Sequence, residues 1–270
     1  MKVTIVVDNI EHAGIPGEWG FCAYIEQNGK KLLLDTGASN LFADNAEKLN
    51  IDLKDVDFAV LSHAHYDHAN GMEKFFEINE KAPFYLQEGC GENCYFKKGF
   101  IRKYIGIPKG ITKKYQDRIE YVSGVYTVAD GIYLVSHSTP HLEQIGKKEM
   151  MYQKTKLGWK PDNFCHEQSL VLDTDGGLVI FNSCSHGGVV NIINEVKAAF
   201  PNKKITALIG GFHIFKHPEA EIRELAKLIK ETGIERIYTG HCSKERGYRI
   251  LREELGDMAG QFYVGMELEF

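Results

Sequence analysis

A chain of 270 residues with 43% hydrophobic and 26% charged content can bury one large core or two tightly joined halves, which excludes a disordered chain. The formal net charge of -5 excludes a global attraction to nucleic acid or to an anionic membrane, so any basic patch must be local. Six cysteines (Cys22, Cys90, Cys94, Cys165, Cys184, Cys242) are too scattered for a small disulfide scaffold and read as reduced thiols. The opening MKVTIVVDNI meets a charge at Asp8, too soon for a signal peptide. No stretch approaches the roughly 18 to 20 apolar residues of a membrane helix. A cytoplasmic protein without membrane or nucleic-acid partners is expected.

Strands are predicted for VTIVVD (3–8), FCAYIE (21–26) and KLLLDT (31–36), the last two joined by a turn at Asn28 and Gly29. A capped helix starts at Ser39, and a fourth strand, DFAVLSH, covers 57–63. Residues 91–165 differ in character and carry the basic run KKGFIRKYIGIPKGITKKYQDR at 97–118. They read as an inserted lid or subdomain within a single domain spanning 1–270. Beyond it, SLVLDT (169–174) and GLVIFN (177–182) flank Asp175 and Gly176 as a hairpin. A helix near 188–200, the strand ITALIG (205–210), a helix from Pro218 to Glu231, the strand ERIYTG (235–240) and a helix from Ser243 complete the chain. Two strand-rich halves, each followed by helices, predict two packed sheets with helices on both outer faces, because each sheet must bury one face on the other and one under helices.

The decisive motif is SHAHYDHANG at 62–71, where the apolar strand DFAVL runs out into a loop. His63 and His65 stand two apart, so in extended backbone they project to one side and can share a cation. Asp67 and His68 follow, and four candidate ligands within six residues can feed two adjacent ions, the arrangement that activates water in two-metal hydrolases. Placing so many polar rings after a buried strand without a metal would be costly. More ligands must come from further along the chain, where His137, His141, His166, His186, His213, His217 and His241 are available. His186 and His241 follow strands and precede Gly or Cys-Ser, where a side chain can be aimed into a cleft between sheets.

The run His63, His65, Asp67, His68 resembles the signature of the metallo-β-lactamase superfamily, which implies an αββα four-layer sandwich. The upstream LLLDTGAS resembles that superfamily's strand and loop carrying a buried Asp, and implies that Asp35 hydrogen-bonds and orients the ligand loop. The resemblance also makes His241 the last ligand. Many members carry a bridging Asp where this chain reads IFNSCSH, and Cys184 is the nearest anionic candidate there, as a thiolate suited to zinc.

Four further stretches, PDNFCHEQSLVL (161–172), CSHGGVVNII (184–193), GGFHIF (210–215) and TGHCS (239–243), resemble the branch described as 7,8-dihydropterin-6-yl-methyl-4-(β-D-ribofuranosyl)aminobenzene 5′-phosphate synthase-like proteins. That resemblance makes His186 a ligand, and it departs from the branch at His166, where an acidic residue is usual. His213, reached through Gly210 and Gly211, is assigned to substrate contact or proton transfer. Gly187 and Gly188 open a helix whose N-terminus could receive an anion. The branch name implies a phosphate-bearing substrate, and the basic run, Lys113 and Lys114 included, is read as a lid that attracts an anionic small molecule.

The expected function is therefore hydrolysis of a phosphoester by a metal-bound hydroxide, with two divalent ions, zinc first and manganese or iron compatible. Asp67 and His213 are the catalytic candidates. The alternatives are a synthase-like transferase and a metal-binding protein without turnover. A flavin-coupled di-iron role is disfavoured because it needs an acidic ligand where His65 stands.

Overall fold

The computed structural model describes residues 1–270. The first half holds β1 (Lys2–Val7), β2 (Cys22–Gln27), β3 (Lys30–Leu34), α1 (Leu41–Lys48), β4 (Phe58–Val60), α2 (Tyr66–Ala69), α3 (Met72–Ile78) and β5 (Phe84–Gln87). The middle holds β6 (Cys94–Lys98), β7 (Ile101–Tyr104), α4 (Ile111–Lys114), β8 (Ile119–Val122), β9 (Val125–Ala129), β10 (Ile132–Ser136), α5 (Glu143–Lys148), β11 (Met151–Thr155) and β12 (Gly158–Pro161). The rest holds β13 (Gln168–Thr174), β14 (Gly177–Phe181), α6 (Val189–Ala199), β15 (Ile205–Ile209), α7 (Glu219–Glu231), β16 (Arg236–Thr239), α8 (Lys244–Leu255), β17 (Ala259–Gln261) and β18 (Glu267–Glu269). No helix is long and apolar enough to cross a membrane.

Two seven-stranded sheets form, in the orders β18-β1-β2-β3-β4-β5-β8 and β17-β16-β15-β14-β13-β10-β9. Their strands read as nearly continuous apolar runs because both faces are covered. In β3, Leu32 and Leu34 enter the core between the sheets while Leu33 packs on the outer side with Phe42 of α1 and Phe75 of α3. In β13 and β14, Leu170, Leu172, Val179 and Phe181 face the same inter-sheet core. Val171, Leu178 and Ile180 pack outward with residues of α6, α7 and α8. The alternation of side chains along each strand thus builds the αββα layers, the fold expected from the sequence.

Local chemistry explains where the expected boundaries shift. The β2–β3 loop is two residues with positive φ at both Asn28 (50°) and Gly29 (74°), as a primed hairpin turn requires. Helix α1 starts at Leu41 and not at Ser39. The Ser39 hydroxyl donates to Glu18 Oε2 at 2.6 Å and accepts from Leu41 N at 3.1 Å, so it shapes the turn before the helix.

Residues 91–165 are not one contiguous insertion. Strands β6, β7, β11 and β12 form a separate four-stranded sheet, but β8 completes the first main sheet and β9 and β10 the second. The third sheet is therefore assembled from two chain segments on either side of strands integral to the sandwich.

Strands β3 and β4 are parallel, as are β14, β15 and β16. The loops after their C-terminal ends carry Asp35, His63, Cys184, His213 and His241, so the topology gathers chemically active side chains at one mouth of the sandwich.

Candidate metal centre

The mouth is organised from Asp35, a buried residue held at φ 60° where β3 ends. Its Oδ1 accepts from Ser62 N at 2.7 Å, and its Oδ2 accepts from the Ser62 hydroxyl and from His68 Nδ1, each at 2.7 Å. With its proton given to Asp35, the Ser62 oxygen accepts from His63 Nδ1 at 2.8 Å. This network assigns the ring protons of His63 and His68 to Nδ1 and leaves both Nε2 lone pairs for the cleft.

A second anchor comes from the end of β1. Asp8 Oδ1 accepts from His241 N at 2.7 Å, Asn9 Nδ2 donates to His241 O at 2.9 Å, and His241 Nδ1 faces Asn9 Oδ1 at 3.3 Å. His241 Nε2 then lies 3.2 Å from His68 Nε2 and 3.6 Å from Asp67 Oδ2. Cys184 Sγ is 3.3 Å from His68 Nε2. Four donors of mixed type converge here.

His63, His65 and His186 form a neighbouring set, with one ring nitrogen of each within 4.8 Å of the others. The His186 ring stacks on Phe164 at 4.8 Å, and Glu167 accepts from the backbone N–H of His186 and Gly187, each at 2.9 Å. Gly187 and Gly188 therefore open a helix whose approach already holds an internal carboxylate, Glu167. His137 lies between Glu167 and Glu195 and locks that carboxylate in place.

The donor set's own hydrogen bonds leave several of its ring nitrogens without partners. His63 Nε2, His65 Nε2, both nitrogens of His186 and His213 Nδ1 are buried without a partner. Each such group costs about 1–3 kcal/mol when left unsatisfied, and their concentration at one mouth fits a cation. Burial, aided by neighbouring imidazoles, holds His63, His65, His186 and His241 well below the ordinary histidine value, so these rings are neutral with lone pairs to give. Ser185, His213 and His241 also adopt positive φ, so backbone strain clusters where the side chains are aimed.

The other candidates separate from this centre. His141 is exposed beside Glu143, and His217 faces Glu149 and Glu221. His166 is buried behind the ligand loop, where its Nδ1 accepts from Ala64 N at 3.2 Å and its Nε2 meets Asp162 at 3.0 Å. The Ala64 amide requires a lone pair on Nδ1, so the proton sits on Nε2 despite the pull of Asp162 toward the charged ring. His166 thus pins the chain between His63 and His65.

A cleft of about 310 Å³ opens over the centre, lined by Asp67, Cys184, His186, His213 and Cys242 and walled by Trp19, Tyr66, Phe96, Ile105, Met151 and Phe215. Lys103, Lys216 and Glu149 also line it. Lys113 and Lys114 do not. They sit in α4, and Lys114 Nζ is paired with Glu73 at 2.6 Å. The cationic residues at the cleft are instead Lys103 of β7 and Lys216 beside Phe215. Sequence reasoning missed Lys216, Glu149, Glu167, Trp19 and the anchoring role of Asp8. Asp8 carried the same signal as Asp35, an acid ending an apolar strand.

The sequence profile of the metallo-β-lactamase superfamily matches residues 19–147. The 7,8-dihydropterin-6-methyl-4-(beta-D-ribofuranosyl)-aminobenzene-5'-phosphate synthase of Methanocaldococcus jannaschii is 28% identical over 270 residues, covering 93% of this chain and 88% of that protein. Among solved structures, Tm1679, a metal-dependent hydrolase of the beta-lactamase superfamily, superposes with TM-score 0.86 at 26% identity, covering 100% of this chain and 99% of that one. Zn(2+)-bound PqqB from Methylobacterium extorquens shares the fold, with TM-score 0.57 at 12% identity and 100% coverage of both chains.

Proposed function

We propose that the chain is a member of the metallo-β-lactamase superfamily, whose profile matches residues 19–147, and that it is a metal-dependent hydrolase acting on a phosphoester-containing small molecule. The observation that carries this reading is the group of buried, unpartnered ring nitrogens on His63, His65, His186 and His213 beneath one cleft. In this reading His63, His65 and His186 hold one divalent ion, and Asp67, His68 and His241 with Cys184 hold a second, zinc being first choice for such a donor set. Bound there, the ions supply acidified water and polarisation of the substrate oxygen.

The chain's own groups do the rest. Asp67 lines the cleft and accepts a hydrogen bond from the attacking water, orienting it. Burial alone would discharge His213, but Cys242 and Glu149 outweigh it and hold the ring above its ordinary value, so it can lend a proton to the leaving group. The aromatic walls offer faces for a ring-bearing substrate, while Lys103 and Lys216 attract its anionic part. The test is turnover of aryl phosphomonoesters, phosphodiesters and a neutral aryl ester by protein stripped of metal and then reloaded. Metal-dependent release from a phosphoester is expected, and no release from any of them with metal bound would overturn the reading.

Two observations support synthase-like transfer as a second reading. One is the similarity to the M. jannaschii synthase. The other is a neighbouring cavity of about 290 Å³ that shares Glu149, His186 and His213 with the cleft, giving room for a second reactant. Joint incubation with a dihydropterin and a ribosyl-aminobenzene phosphate separates the two readings, because only transfer yields a product containing both.

A further inference from the structure

We propose that Cys184 and Cys242 form a thiolate pair that supplies two sulfur ligands to the second metal position, making that position selective for a thiophilic divalent ion. The inference rests on the metal-dependent reading above and adds to it a ligand, Cys242, and a soft character for one of the two positions.

The geometry starts from two loops. Cys184 follows β14 and Cys242 follows β16, on either side of β15. Their Sγ atoms and a ring nitrogen of His241 all lie within 4.8 Å of one another. Cys184 Sγ is also 3.3 Å from His68 Nε2, which is itself 3.2 Å from His241 Nε2. Two sulfurs and the His241 imidazole are thus mutually within reach, with His68 against both Cys184 and His241, and sulfur with imidazole is the kind of donor set that suits zinc.

Both thiols are buried, and both line the cleft. The His213 amide donates to Cys242 Sγ at 3.2 Å, which uses this sulfur as an acceptor, as a thiolate requires. The only acceptor for its own proton is Cys184 O, at a distant 3.8 Å. The surrounding backbone leaves room for this sulfur only through Gly211, where a Cβ would lie 2.4 Å from Cys242 Sγ. Neither thiol is engaged in a disulfide.

Charge supports the same assignment. His63, His65 and His186 are neutral ligands, so the anionic ligands of the centre collect at the second position. Two thiolates and Asp67 would set three negative charges against four positive ones from two divalent ions. The remaining positive charge suits an anionic substrate. Metal binding would expel the thiol protons, and the thiolates would favour zinc or cobalt over manganese or magnesium.

The experiment uses the full chain, stripped of metal by chelation and reloaded with cobalt(II). Wild type is expected to show near-ultraviolet thiolate-to-cobalt charge transfer. Cys184→Ser and Cys242→Ser should each lose roughly half of that intensity, and the double variant all of it, if each sulfur is a ligand. Full intensity in Cys242→Ser would overturn the proposal. Proton release on zinc binding at constant pH tests it independently of the spectrum, since the two thiols must deprotonate to bind: wild type is expected to release more protons per zinc than the double variant, and equal release would overturn the proposal as well. Cobalt bound without a sulfur band removes the thiolate pair and leaves the metal-dependent reading standing, while failure to bind any divalent ion removes both.

Discussion

The two halves of the candidate metal centre differ in how their last ring is held, since His63, like His68, is anchored through Ser62 and Asp35 whereas His186 is not. At the His68 and His241 half, each ring has its Nδ1 turned to an anchor, Asp35 for one and Asn9 for the other, and presents a single free nitrogen. At the His63, His65 and His186 half, His186 has no hydrogen bond to either nitrogen and is oriented by stacking on Phe164 and by the backbone grip of Glu167. Anchored rings are preorganised and should bind an ion with little reordering, whereas the stacked ring relies on the ion itself to fix its rotation. The His63, His65 and His186 half is neutral, and the His68 and His241 half, with Asp67 and Cys184, is anionic. In the proposed reading one fold thereby offers two adjacent positions of different hardness.

The largest expected effect comes from removing the neutral half. His63→Ala or His65→Ala should release metal from one position and abolish turnover, while His12→Ala and His217→Ala, at sites apart from the centre, should do neither. Elemental analysis with turnover assays checks this, and full metal content in both of the first two variants would refute the assignment. Next, Asp67→Asn keeps the shape of the anionic half but loses charge and basicity, so the maximal rate should fall at least about a hundredfold. Measurement at saturating metal separates that loss from weakened binding. Asp35→Asn should act directly through His68 and indirectly through Ser62 on His63, lowering metal affinity at the anionic position by about 10–100-fold and weakening the neutral position as well. Competition with a chelator reads both.

The brace behind His186 gives a pH prediction. Burial opposes the charge on His137, but its hydrogen bonds to Glu167 and Glu195 and their charges prevail and raise it to about 10 from an ordinary 6.5. A raised folded value contributes stability that is fully present below about 6.5 and is lost as pH rises through about 10. The stability advantage of wild type over His137→Gln, read from urea unfolding, should therefore shrink across that window. An advantage that grew with pH would contradict the charged His137.

The sandwich and the His63 to His68 loop were legible because they are local: apolar alternation, a turn pair and four ligands within six residues. The anchors were less so. Asp35 was identified through resemblance, while Asp8 shows the same acid at a strand end and became meaningful only once β1 lay beside the His241 loop. His166 looked like a departure from its branch, and the structure shows why a histidine serves there: it accepts the Ala64 amide and donates to Asp162, which no carboxylate alone could do. Residues 97–118 were misleading for a related reason. A run of like charge in sequence says nothing about which way successive elements face. β7 carries Lys103 to the cleft, and α4 turns Lys114 to Glu73.

That division yields the smallest expected effect. Lys103 and Lys216 line the cleft and stand near the aromatic rings of Tyr66 and Phe215, so they place positive potential where a substrate anion would enter. Replacing both by Ala should raise the Michaelis constant for a phosphoester several-fold, on the scale of exposed charge interactions of up to about 1 kcal/mol each, and should leave a neutral ester nearly unaffected. The difference should fade as salt rises, since exposed charges are screened over about 8–10 Å at ordinary ionic strength. Lys113→Ala with Lys114→Ala should change neither constant, because Lys114 is already paired with Glu73 and neither lysine lines the cleft. Metal content should be the same in all of these variants, and the maximal rate should fall far less than in Asp67→Asn. Equal effects of the two lysine pairs, or a salt-independent effect of the first, would mean that the cleft lysines contribute packing and not attraction, and the anionic substrate would lose its main electrostatic support.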